Sequence, residues 1–176
     1  MVSGRNRFNI YLLLLLALAA GCQTGSKEKK DKRTSTIRIH LECSPDSTSF
    51  SRTVSVVREK PVMVTVDTSP VLTEAEVAGA KVVEQEGGFA LQIQFNKRGI
   101  WLLEECTTMN PGRHLAIFAE FGTGMRHSRW IAAPSITHRI SNGELTFTPD
   151  ASREEADDIA AGLQNVAKKI AEKSKW

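Results

Sequence analysis

The sequence predicts an α+β fold, a mostly antiparallel sheet with two main helices packed on it in a single domain. Three patterns carry that expectation. Thr36 to Cys43 alternates strictly between apolar and polar side chains, the period of a half-buried strand. Further runs rich in valine and aromatic residues are separated by Gly, Asn and Pro turn signals. Toward the carboxyl end, Ala156, Ile159, Ala160, Leu163, Val166, Ala167 and Ile170 fall on one stripe of an amphipathic helix.

Taken in order, the first strand puts Ile37, Ile39, Leu41 and Cys43 on one face and Arg38, His40 and Glu42 on the other. Thr53 to Arg58 and Val62 to Asp67, interrupted by Lys60-Pro61, read as a β-hairpin. Thr73 caps a short helical turn, with Glu76 completing a capping box. A strand near Ala80 to Glu84, the Gly87-Gly88 turn and a strand from Phe89 to Phe95 follow. Asn96 caps the first main helix, which carries Ile100, Leu103 and Cys106 inward and stops at Asn110-Pro111-Gly112. His114 to Phe121 and Arg126 to Ile131 form a second hairpin, turning at Gly122-Thr123-Gly124, and Glu144 to Phe147 adds a strand after Asn142-Gly143. The last helix opens on a Ser152/Glu155 capping box. Acidic residues crowd its start and Lys168, Lys169 and Lys173 its end, the polarity that the helix dipole favours.

Ahead of this domain, Arg5 and Arg7 precede an apolar run of 11 residues, Ile10 to Ala20. A permanent membrane helix needs about 20, so the run reads as a signal peptide. Leu18-Ala19-Ala20-Gly21-Cys22 resembles the bacterial lipobox, which implies diacylglycerol on Cys22 and cleavage before it. No later apolar stretch reaches membrane-spanning length, so the expected attachment is lipid on Cys22, with the domain on the periplasmic side. Gln23 follows the cysteine where an inner-membrane retention aspartate would stand, which directs the expectation to the outer membrane of a Gram-negative bacterium. The predicted organisation is a signal peptide over 1–21, a lipidated cysteine and basic tether over 22–35, an amino-terminal strand region over 36–70 and an α+β region over 71–176.

The chain carries a formal net charge of +3. Setting aside Arg5, Arg7 and the charges of Lys27 to Arg33 leaves 16 basic and 18 acidic side chains, a slightly negative domain. Nucleic acid is therefore not an expected partner, because its binding requires a dense basic face.

A family resemblance rests on many positions in order. They are Leu72-Thr73-Glu74 with Ala80, Gln94-Phe95-Asn96, Gly99, Thr107, Asn110, Gly112-Arg113, Leu115-Ala116-Ile117, Ala133-Pro134, Ile136, Ile140, Gly143 and Ser152-Arg153-Glu154-Glu155-Ala156. Together these resemble the head subdomain of the first periplasmic loop of the SecD and SecDF protein-export subunits, from about Val71 to Lys169. The resemblance implies an α+β module that contacts polypeptide emerging from the translocon. Two departures stand out. Phe118-Ala119-Glu120-Phe121 replaces the aspartate and glycine that usually follow the apolar strand, and residues 36–67 do not match the family's base.

Chemistry-bearing motifs are sparse. His40, His114, His127 and His138 lack metal-ligand spacing, no serine sits in a nucleophile elbow, and Gly122-Thr123-Gly124 reads as a turn and not a phosphate loop. The sequence thus predicts no catalytic residues, metal or cofactor. Cys43 and Cys106 would close a loop of about 64 residues if bonded, but each also falls on the apolar face of its element, where a thiol packs as a small hydrophobe. Two functions remain: a module binding a polypeptide client, and an adaptor assembling with an envelope protein. For either, the candidate contact surface is the second hairpin, with Arg113, Phe118, Phe121, Arg126, Arg129 and Trp130, an aromatic and arginine mixture typical of interfaces. Some of those aromatics must face the core.

Overall fold

The computed structural model describes residues 33–45, 50–57 and 60–173. Cys22, the leading apolar run and the tether up to residue 32 lie outside the described residues. Nine strands are described: β1 (Thr36–Leu41), β2 (Ser51–Val56), β3 (Val62–Asp67), β4 (Leu72–Thr73), β5 (Val77–Gln85), β6 (Gly88–Phe95), β7 (Leu115–Phe121), β8 (His127–Ala132) and β9 (Glu144–Phe147). The helices are α1 (Lys97–Met109) and α2 (Arg153–Lys173), with a 3-10 turn at Glu74–Glu76. All pairings are antiparallel, and the fold is α+β as the sequence predicts.

The strands divide into three sheets: β4-β1-β7-β8, β2-β3 and β5-β6-β9. Two are built by chain-distant pairing. β1 lies between β4 and β7, matching Ile37 with Ala119 and Ile39 with Ile117. The predicted boundary between 36–70 and 71–176 therefore separates no modules, since β1 is an interior strand of a sheet completed by later residues.

Local chemistry explains the element ends. The Thr73 hydroxyl accepts the Ala75 N–H at 3.2 Å while the Glu76 carboxylate accepts the Thr73 N–H at 3.0 Å, which completes the expected box. Asn96 Oδ1 accepts the Gly99 N–H at 3.0 Å at the head of α1. Ser152 and Glu155 cap α2 reciprocally, at 3.2 Å and 2.8 Å. Gly143 has φ +72°, and a Cβ there would collide with Ile100 of α1, so this turn requires glycine for both conformation and space.

The main core joins one face of the four-stranded sheet to the three-stranded sheet and α2. Ile37, Ile39, Leu103, Ile117, Ile131, Ile159 and Leu163 are all fully buried in it. Burying each such side chain contributes about 1.5–3 kcal/mol before chain entropy is counted. A second cluster lies on the opposite face, where Val54, Val56, Val64 and Val66 of the β2-β3 hairpin pack on Ala116, with Trp130 against them.

That second cluster corrects the simple alternation of β1. His40 falls on the expected polar face yet is only 8% exposed, because the hairpin covers that face. Cys106 is buried in the main core and Cys43 is half-buried beyond β1. Burial raises the Cys106 thiol pKa, and the Glu105 carboxylate adds to the effect.

Candidate functional site

Alternation along β1, β7 and β8 sends every second side chain away from the main core, and register lines up those outward side chains across the sheet. Arg38 of β1 pairs with Phe118 of β7, and Phe118 pairs with Trp130 of β8. A bulge between Ile117 and Phe118 adjusts the β7-β8 register, so that Ile131 and Ala132 both enter the main core while Trp130 remains opposite Phe118.

Phe118 and Trp130 meet edge to face at 5.3 Å, and His40 meets Trp130 edge-on at 5.2 Å. The β2-β3 hairpin supplies the other wall. Arg52 continues the inward face of β2 beyond Val54 and Val56, and its guanidinium lies 5.9 Å from the Trp130 ring centroid. Together with Val66, Thr68 and Pro70 these groups enclose a cleft of about 420 Å³.

The electrostatics of the cleft are uneven. Arg38 approaches the Glu120 carboxylate only at 3.8 Å, and that carboxylate also accepts the Thr36 hydroxyl at 2.9 Å. His40 Nδ1 lies 2.8 Å from the Asp67 carbonyl, which can only accept, so Nδ1 carries the proton. Burial holds the His40 pKa below its ordinary value, and the charges of Arg52 and Arg38 push the same way against the hydrogen bond to Asp67. The cleft floor is thus the Trp130 ring flanked by the His40 imidazole and the Phe118 ring, with guanidinium groups at the rim. Such a surface can face apolar side chains with its rings and carbonyl or carboxylate oxygens with its arginines.

Of the six contact residues expected on the second hairpin, the structure gathers Phe118 and Trp130 at this cleft. Arg113 and Arg126 are exposed but line it nowhere. Phe121 is 1% exposed and belongs to the main core, so it presents no surface to a partner. Arg129 shares its face; it lies 4.9 Å from the Phe121 ring and pairs with Glu155 of α2 at 2.8 Å, which ties the sheet to the helix. The parity of β7 causes this, since Phe118 and Phe121 are three residues apart and must take opposite faces. Sequence reading missed Arg38, His40 and Arg52, which come from elements distant in the chain.

Another constellation also escaped the sequence. Glu42, just past β1, accepts both the backbone N–H of His114 at 2.8 Å and its ring Nδ1 at 2.7 Å, while His114 Nε2 lies 2.9 Å from Ser135 Oγ. His127 stands opposite Phe121 at the far end of the hairpin, so the two histidines do not meet. Among the described residues no cluster of three metal-ligating side chains occurs, and no helix is long and apolar enough to cross a membrane.

The comparisons identify the family that this architecture serves. The family model of the SecDF P1 head subdomain matches residues 50–167, and the chain belongs to that family. The match begins before Val71 and takes in the β2-β3 hairpin. The protein translocase subunit SecDF of Thermus thermophilus is 33% identical over 97 residues, covering 54% of this chain and 12% of that protein. The chain thus spans a small part of its relative. A solved structure of SecDF, a membrane component that enhances protein export, aligns with a TM-score of 0.54 at 20% identity over 83% of this chain and 70% of that one. The latter likeness is one of fold.

Proposed function

We propose that the chain is an extracytoplasmic lipoprotein, tethered through Cys22, whose head domain binds extended polypeptide in connection with protein export. The observation that carries this reading is the cleft in a SecDF head fold, where Phe118, Trp130 and His40 lie between Arg38 and Arg52. Aromatic faces accept varied apolar side chains, and arginines reach backbone carbonyls, a combination that needs no defined client sequence.

The test is binding of a permanently unfolded polypeptide, such as a reduced and carboxymethylated protein, to the purified full chain. The Arg38→Ala/Arg52→Ala double variant should bind at least about tenfold more weakly, the scale of losing 1.4 kcal/mol of contact energy. Equal binding by the two proteins overturns the cleft as the contact surface. If the chain ignores unfolded polypeptide but recovers one stoichiometric envelope protein from cells, the adaptor reading replaces this one.

A further inference from the structure

We propose that Ser135, His114 and Glu42 form a nucleophile, base and orienting acid that cleave small acyl esters held in the cleft beside Ser135. The three residues come from separate segments and meet in the order that such chemistry requires. Glu42 Oε2 is fixed by two donors of one residue, the backbone N–H and the ring Nδ1 of His114, at 2.8 Å and 2.7 Å. Burial raises the Glu42 pKa, but the ring and backbone hydrogen bonds of His114 outweigh it, and the carboxyl lies below its ordinary value. An ionised Glu42 only accepts, so Nδ1 carries the ring proton and Nε2 offers its lone pair to the Ser135 hydroxyl at 2.9 Å. That is the tautomer a general base needs.

The backbone holds the arrangement in place. Glu42 N–H donates to the His114 carbonyl at 2.9 Å, and the Arg113 guanidinium donates to the Glu42 carbonyl at 3.2 Å. On the other side, Leu115 N–H donates to the Pro134 carbonyl at 2.9 Å and Ile136 N–H to the Arg113 carbonyl at 2.8 Å, which brings Ser135 opposite His114. Ser135 is exposed, and it borders a cleft of about 520 Å³ in which Leu115, Ile136, Ile140 and Leu145 stand among polar residues such as His138, Arg139 and Glu144. That volume suits a small ligand, and the apolar side chains suit an acyl group.

In the acylation step Ser135 Oγ bonds to the ester carbonyl carbon as its proton passes to His114 Nε2. The ester C–O bond then breaks and the departing alcohol takes that proton. Water, deprotonated by the same nitrogen, adds to the acyl-serine, and release of the carboxylic acid returns the proton to Ser135.

The experiment treats the full chain in detergent micelles with a fluorophosphonate probe, followed by peptide mapping, and measures hydrolysis of p-nitrophenyl acetate alongside. Ser135 should be the labelled residue, and Ser135→Ala should lose both label and turnover. His114→Asn should slow labelling about 100-fold or more, the lower range for loss of a general base, while Glu42→Gln gives a smaller loss. The wild-type rate should depend on pH, a profile that a purely structural clasp would not produce. Near-UV circular dichroism establishes that each variant is folded; if His114→Asn is not, the wild-type pH profile decides. A native wild-type chain left unlabelled at Ser135, a folded His114→Asn chain labelled at the wild-type rate, or a rate indifferent to pH overturns the proposal.

Discussion

The two faces of the β4-β1-β7-β8 sheet are built from the same strands and do different work. One face carries Ile37, Ile39, Ile117, Ala119 and Phe121, all nearly or fully buried in the main core beneath α2. The other carries Arg38, His40, Ala116, Phe118 and Trp130, partly covered by the hairpin valines and open along the cleft. The first face depends mainly on dispersion and exclusion of water, with Arg129 and its Glu155 partner as the charged exception. The second mixes rings, an imidazole and guanidinium groups, which costs stability but leaves chemistry at the surface. Strand parity makes the division, so neighbouring residues can belong to different functions.

Ile117 and Phe118 offer the sharpest way to break that comparison. Ile117→Ala should lower unfolding free energy by about 2–5 kcal/mol, the usual cost of emptying a packed core position. Phe118→Ala should cost less than Ile117→Ala in chemical denaturation and instead weaken polypeptide binding. Equal destabilisation by the two variants would show that the cleft face is as structural as the core face.

Next in size is the link between β8 and α2. Glu155 accepts from Arg129 at 2.8 Å and from the Ser152 N–H at 2.8 Å, so Glu155→Gln weakens an ion pair and a cap together. The expected loss is about 1 kcal/mol, read as a lower denaturation midpoint with unchanged slope. An unaltered midpoint would remove Arg129 from the structural face.

A smaller effect separates the faces by pH. His40 has a folded pKa below the ordinary 6.5, mainly through burial. The unfolded chain therefore binds its proton more readily, and the stability contribution is complete above that ordinary value and is lost as pH falls through the depressed one. His40→Gln should flatten the stability profile on the acid side relative to wild type. An unchanged acid profile would refute the burial assignment.

The least effect is expected outside both faces. Arg153 pairs with Glu84 and Asp157 at the exposed surface, and Arg153→Met should leave thermal stability unchanged.

Local signals made most elements legible. The α1 cap at Asn96, the Ser152/Glu155 box and the apolar stripe of α2 depend on neighbours within a few residues, and the structure reproduces them. Sheet membership depends on partners far along the chain, which is why one expected sheet became three and β1 became an interior strand. For the candidate site, the sequence identified Phe118 and Trp130 but grouped them with Phe121 and Arg129 of the opposite face. Alternation alone marked His40 as outward, and only the docking of β2 and β3 makes it a buried ring beside Trp130. Arg52 reaches that ring across the hairpin, a contact that no spacing in the chain announces.

The most direct measurement places a photoreactive residue at position 52, on the cleft, and at position 105, on the outer surface of α1, in the full chain in living cells. The account predicts adducts with many different polypeptides from position 52 and few from position 105. A matching set of adducts from both positions, or none from position 52 while position 105 crosslinks, would contradict it.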